Sequence, residues 1–197
     1  MGKSMTTLCC LLLSVTAVSG KVALVAGTPV LTLINPSFED QGDASDRAAG
    51  WGRWGDWFNR EEGWTPVRSG RCILGYHHWE IPSANQSGVY QDLDGAVAAK
   101  QYTFGIYVSP DKAKDGTRDA LTIELRLEST FEGRQLTLAS KLYKVADLMP
   151  DKWEKLSVSG APVNNTLRVL VIVTPAPDNG TRGGALRFDD ALIELGD

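Results

Sequence analysis

Apolar residues in this chain recur at every second position and almost nowhere at helical spacing. Tyr102, Phe104 and Ile106 alternate in one segment. Leu121, Ile123, Leu125 and Leu127 alternate in the next, and Leu136 and Leu138 carry the pattern on. A period of two is that of a strand with one buried face. Turn signals separate the runs: Asp115-Gly116, Glu132-Gly133, Pro150-Asp151, Asn164-Asn165 and Asn179-Gly180. The run from Leu167 to Val173 is apolar except at Arg168, which predicts a central strand covered on both faces. Many short strands without a strong helix predict an all-β fold, a β-sandwich or jelly roll of two antiparallel sheets.

The first 20 residues read differently. Lys3 provides a positive start, Leu8 to Val18 an apolar run, and Val18-Ser19-Gly20 a small-residue cleavage site. That pattern predicts a signal peptide over 1–20, a short lead over 21–30, and one domain over 31–197. The apolar run is too short to span a bilayer, and Cys9 and Cys10 stand at its beginning, where a lipoprotein would need a Cys after it. The expected product is secreted, extracellular or periplasmic, with no membrane partner. Cleavage leaves Cys72 alone, so no intrachain disulfide is expected; a buried packing role suits its apolar neighbours. The formal net charge is −4 and no basic run interleaves with aromatics, so nucleic acid is not an expected partner.

Two stretches carry acids inside apolar runs: Leu33-Ile34-Asn35-Pro36-Ser37-Phe38-Glu39 and Leu186-Arg187-Phe188-Asp189-Asp190-Ala191-Leu192-Ile193. A buried carboxylate is costly unless it is paired or holds a metal. The two stretches are therefore expected to meet, with their carboxylates sharing a partner. Between Asp40 and Glu80 lie Trp51, Trp54, Trp57, Trp64 and Trp79, five of the six tryptophans. Core packing alone need not concentrate them so.

With these features in place the mature chain resembles the family 4/9 (CenC-like) carbohydrate-binding modules. Asn35-Pro36-Ser37-Phe38-Glu39 is similar to their N-G-x-F-E opening, Gly50-Trp51 to the following G-W, and Arg68-Ser69-Gly70-Arg71 to the H-S-G-K turn. Val89-Tyr90-Gln91-Asp92-Leu93 with Tyr102-Thr103-Phe104, then Trp153 with Leu156-Ser157-Val158, resemble internal strands. Phe188-Asp189-Asp190-Ala191 resembles the closing D-D motif. Ala96-Val97-Ala98-Ala99 stands where the family has an L-x-P-G turn. The resemblance implies a galactose-binding-like jelly roll and noncatalytic sugar binding in many members. It also implies a structural calcium ion on the Glu39 and Asp189 carboxylates, with backbone oxygens near Asn35 and Arg71. The alternative for those acids is a salt bridge to Arg187 or Arg71, with Asp190 serving neighbouring backbone.

A sugar offers a flat C–H face ringed by hydroxyls, which an exposed aromatic ring and nearby polar groups complement. Trp54, Trp57 and Trp79 are the expected platforms, with Tyr76, His77 and Gln91 as polar partners; Trp51 and Trp64 are expected in the core, as in the family. His77 and His78, adjacent on a strand, point to opposite faces and cannot readily share a metal. A lyase built on Tyr76, His78 and Lys141 has no support in the spacing. Asn85-Gln86-Ser87, Asn164-Asn165-Thr166 and Asn179-Gly180-Thr181 fit the N-glycosylation pattern. The expected function is a secreted, noncatalytic carbohydrate-binding module, acting alone or with a separately encoded glycoside-active enzyme. The alternative is an adhesive domain that recognises protein or cell-envelope material.

Overall fold

The computed structural model describes residues 23–25, 28–55, 58–77, 85–112, 121–175 and 185–196. Twelve strands run through them: β1 (Ala23–Val25), β2 (Thr28–Val30), β3 (Gly52–Trp54), β4 (Phe58–Glu62), β5 (Cys72–His77), β6 (Ser87–Asp94), β7 (Tyr102–Pro110), β8 (Leu121–Phe131), β9 (Arg134–Lys144), β10 (Glu154–Gly160), β11 (Thr166–Pro175) and β12 (Ala185–Leu195). Among the described residues the one helical element is a 3-10 turn at Val145–Asp147. β1 and β2 form a separate hairpin. The others build two five-stranded antiparallel sheets, ordered β3-β6-β11-β8-β9 and β10-β7-β12-β5-β4. The molecule is the expected jelly-roll β-sandwich.

The two inner faces supply the core. Leu121, Ile123, Leu125 and Leu127 of β8 and Leu167, Val169, Val171 and Val173 of β11 face Tyr102, Phe104, Ile106 and Val108 of β7 and Leu186 and Phe188 of β12. β11 lies at the middle of its sheet, and its outward residues Leu170 and Ile172 are also buried. The apolar run thus matches a strand covered on both faces.

The acid-bearing stretches meet as their sequences require. Asn35 and Phe38 adopt positive φ in the first turn, and Asp190 does so in a bulge of β12. There the Ala191 N–H donates to Pro36 O at 2.8 Å. Trp51 packs on Phe38 with ring centroids 5.3 Å apart, and its Nε1 donates to Ile34 O and Asn35 O. It is a core residue, as expected. Ala99, in the turn that departs from the family pattern, is held at φ 61° while its N–H donates to Pro162 O. That left-handed conformation costs an alanine about 1–2 kcal/mol that a glycine avoids.

Candidate functional site

The outer face of the β3-β6-β11-β8-β9 sheet follows from register. Tyr90 opposes Gly52 on one side and Leu170 on the other; Leu170 opposes Arg126, which opposes Ser140. One row further, Trp54 opposes Gly88, and Ile172 lies between Gly88 and Glu124. In a third row Asp92, Arg168 and Glu128 stand side by side.

On this face each aromatic lies over a glycine of the neighbouring strand. A Cβ on Gly88 would sit 2.1 Å from Trp54 Cη2, and one on Gly52 would sit 2.3 Å from Tyr90 Cζ. Only a strand position without a side chain lets a ring approach the backbone so closely. The two rings are 6.2 Å apart and tilted by 41°, and both are half-buried. They form two adjacent apolar treads on the sheet surface.

Polar groups flank the treads. The Arg168 guanidinium lies over the Tyr90 ring, 4.5 Å from its centroid, and forks onto Asp92 with bonds of 2.6 and 2.8 Å. Arg126 forks onto Glu124 at 2.7 and 2.9 Å and reaches Glu128 at 3.3 Å. Ser140 Oγ donates to Glu124 Oε1 at 2.6 Å. Burial would raise the Glu124 pKa, but the bonds from Arg126 and Ser140 outweigh it and hold the carboxyl below its usual range. The paired ions immobilise one another, so both guanidinium donors and carboxylate acceptors are held in place. A depression of about 170 Å³ continues the face beside Asp92, Asp94, Thr130, Thr166 and Arg168.

Of the residues expected to bind ligand, Trp54 stands on this face. Gln91 does not. It is 2 % exposed, accepts from the Ile34 N–H at 2.7 Å, and donates to Ile34 O and Gly50 O at 3.0 and 3.1 Å. It points inward with Val89 and Leu93 and ties the first turn to β6. Tyr76 is also a correction. It is fully buried, edge-on to Phe58 at 5.2 Å, and burial pushes its phenol pKa upward. Its ring belongs to the core, with Leu74 beside it on the same face. His77 lies on the opposite sheet, its Nε2 bonded to Glu61 and its ring stacked on Trp64 at 4.5 Å. Trp64 is half-buried on the outer face of that sheet rather than in the core. Trp57, Trp79 and His78 lie outside the described residues. Sequence reasoning missed Tyr90, Arg168 and Arg126; the alternation that buries Val89 and Leu93 was the signal that Tyr90 faces outward.

The expected metal centre is a clasp around the 68–72 turn. Glu39 Oε1 accepts the Arg71 and Cys72 amide protons at 2.8 and 2.9 Å. Asp189 Oδ2 accepts those of Arg68 and Ser69 at 3.1 and 3.0 Å, and Oδ1 accepts the Asp190 N–H at 2.7 Å. The shared partner of the two carboxylates is therefore this turn. The salt-bridge alternative does not hold: Arg187 pairs with Asp111 and Asp151, and Arg71 with Glu62. Asp190 binds the Arg68 guanidinium and Ser69 Oγ. Asn35 uses its side chain to bracket Asp40 N and O. Burial pushes Asp189 up to about 6 against the amide protons of Ser69, Asp190 and Arg68, which lower it. Among the described residues no cation pairs with this fully buried carboxylate, and hard oxygen donors of this kind suit calcium. Among the described residues no three His, Cys, Asp or Glu side chains gather as a metal-binding group, so backbone carbonyls would have to complete a shell.

No sequence-family model matches the chain, and comparison with curated proteins finds no match. Solved structures share the fold. The family-61 carbohydrate-binding module TmCBM61, in complex with β-1,4-galactotriose, aligns with a TM-score of 0.57 at 16 % identity over 82 % of this chain and 96 % of that one. The CBM22-1 xylan-binding domain of Paenibacillus barcinonensis Xyn10C aligns at 0.51, with 16 % identity over 81 % and 90 %. A cyclase from Fischerella sp. TAU aligns at 0.61, with 13 % identity over 85 % and 97 %. The fold is thus that of carbohydrate-binding modules, and at least one enzyme shares it. Identities this low carry the fold alone.

Proposed function

We propose that the chain is an exported, noncatalytic carbohydrate-binding module of the family 4/9 type. Its ligand face is the outer surface of the β3-β6-β11-β8-β9 sheet. The observation that carries this reading is the pair of rings, Trp54 and Tyr90, laid over Gly88 and Gly52. Each presents a face to stack on the C–H side of a sugar, while the braced Arg126, Arg168, Glu124 and Asp92 bond hydroxyls. Five strands about 4.8 Å apart make a face roughly 20 Å across, room for a short oligosaccharide. Every guanidinium on it is paired with a carboxylate, so the face suits a neutral glycan better than a uronate. The described face has Leu142 as its strongly exposed apolar side chain, which disfavours a flat adhesive patch.

A calcium ion on Glu39 and Asp189, completed by carbonyls near Asn35 and Arg71, would neutralise the buried Asp189 and lock the clasp. It would act on stability, away from the sugar face. The leader over 1–20 is read as an export signal with cleavage near Gly20, and a separately encoded glycoside-active enzyme is the partner proposed for the module. A glycan array with and without chelator tests the reading. Neutral β-linked chains should bind, and Trp54→Ala and Tyr90→Ala should weaken retention in affinity electrophoresis. Unchanged retention in both variants would overturn the face, and sugar release that tracks the purified protein would turn the reading toward an enzyme.

A further inference from the structure

The opposite sheet carries a related device. Gly75 of β5 lies under both the Glu61 carboxylate and the Trp64 indole: a Cβ there would be 2.6 Å from Glu61 Oε1 and 3.0 Å from Trp64 Cζ3. Gly75 faces outward because its neighbours Leu74 and Tyr76 face the core. Two side chains brace the indole. The Arg187 guanidinium is 4.5 Å from the ring centroid and is fixed by Asp111 at 2.6 Å and Asp151 at 3.5 Å. The His77 ring stacks on it at 4.5 Å with an interplanar angle of 28°, and Glu61 holds His77 Nε2. A core tryptophan needs no such bracing. This one stays half-exposed, with its orientation set by a cation, a stacked ring and a glycine floor.

Beside it are two buried polar atoms. Arg187 and Ser109 oppose each other across β12 and β7. Arg187 Nε and Ser109 Oγ are buried without a hydrogen-bond partner among the described residues. Buried polar groups in native folds are paired, and the exceptions point to something that completes them. A ligand hydroxyl can both accept from the guanidinium and exchange a bond with the serine. Asp111, Asp151 and Glu61 outnumber the one guanidinium, so a uronate or sulfated sugar is disfavoured here.

We propose that Trp64, with Arg187, Ser109 and His77, forms a second binding face for neutral sugars on the sheet opposite the Trp54–Tyr90 face. The proposal rests on the carbohydrate-binding reading of the first face. The outer faces of a sandwich look in opposite directions, so one molecule could hold two glycan chains and join them, and its avidity for a polysaccharide would exceed either face alone.

The test is calorimetric titration of the full chain with xylohexaose and with β-1,4-galactotriose, for wild type, Trp54→Ala, Trp64→Ala and the double variant. Circular dichroism checks folding. Trp64→Leu, which keeps apolar volume over Gly75 without an aromatic face, replaces Trp64→Ala if that variant does not fold. Two equivalents bound by wild type, one by each single variant and none by the double variant is the expected result. Wild type should also precipitate soluble xylan or galactan, and the single variants should not. One equivalent that is lost in Trp54→Ala and kept in Trp64→Ala overturns the second face and leaves the first standing. One equivalent lost only in Trp64→Ala supports the second face and overturns the first. No binding of either probe by wild type overturns both.

Discussion

Gly88→Ala separates the binding surface from the fold. The new methyl would lie 2.1 Å from Trp54 Cη2, 2.3 Å from Cζ2 and 2.7 Å from Cζ3, all inside the 3.4–4 Å of ordinary contact. The ring must retreat by more than an ångström. It has room to do so, because Trp54 stands half-exposed on the outer face and the three nearest atoms are all in its side chain. Glycine inside a strand is itself unfavourable by about 0.5–1 kcal/mol relative to alanine, so the lost ring packing is partly offset. Stability in urea should change by no more than about 1 kcal/mol. Binding should suffer more. A central aromatic contact is worth about 2 kcal/mol or more, which is roughly a thirtyfold rise in Kd. Titration calorimetry measures the loss, and adding Gly88→Ala to Trp54→Ala should cost little more, since both remove the same tread. Full affinity in a Gly88→Ala protein whose indole NMR signal has moved would refute the argument. So would an affinity loss that merely follows the unfolded fraction.

Gln91→Ala removes three bonds to Ile34 and Gly50 and leaves part-buried backbone groups unpaired. It should destabilise by about 2–4 kcal/mol in chemical denaturation while the folded fraction still binds glycan. Asp189 has a folded-state pKa near 6 against an ordinary 3.8, so the folded chain takes up the proton first. Lowering the pH from 7 through 6 toward 4 in chelator should therefore gain stability from this group, on the order of 3 kcal/mol at most, and Asp189→Asn should abolish that slope. Calcium at neutral pH should raise the melting temperature with concentration and flatten the same slope; melting curves that ignore calcium would remove the ion from the proposal. Ala99→Gly should raise stability by about 1 kcal/mol in thermal melts, because it relieves a positive φ.

The sandwich was legible because its signal is local. Alternation in 102–108 and 121–127, and the unbroken run around Val171, state which face of each strand is buried. The same rule contains the error at Gln91. Val89 and Leu93 put Gln91 on the core face, yet its polarity drew it toward the ligand, and Tyr90 was passed over. Tyr76 failed for the same reason, since Leu74 and Phe58 share its side. Trp64 was the reverse case, an aromatic assigned to the core by family analogy and found outside it. The glycine floors were not legible at all. That Gly52 lies under Tyr90 and Gly88 under Trp54 depends on the register of β3 against β6, which no single strand encodes. The clasp was half legible: buried acids at both ends demanded a partner, but the partner is a run of backbone amides that any sequence could supply.

β12 is the last strand of the sandwich and sits third in its sheet, between β7 and β5. Until it emerges, the strands synthesised on either side of it have no neighbour to join them, and the buried faces of Leu186 and Phe188 are missing from the core. The Glu39 side of the clasp likewise waits for Asp189. The contacts that close this sheet span most of the sequence, and pairings of such long range make folding slow. The sheet closes only when β12 has joined β7 to β5.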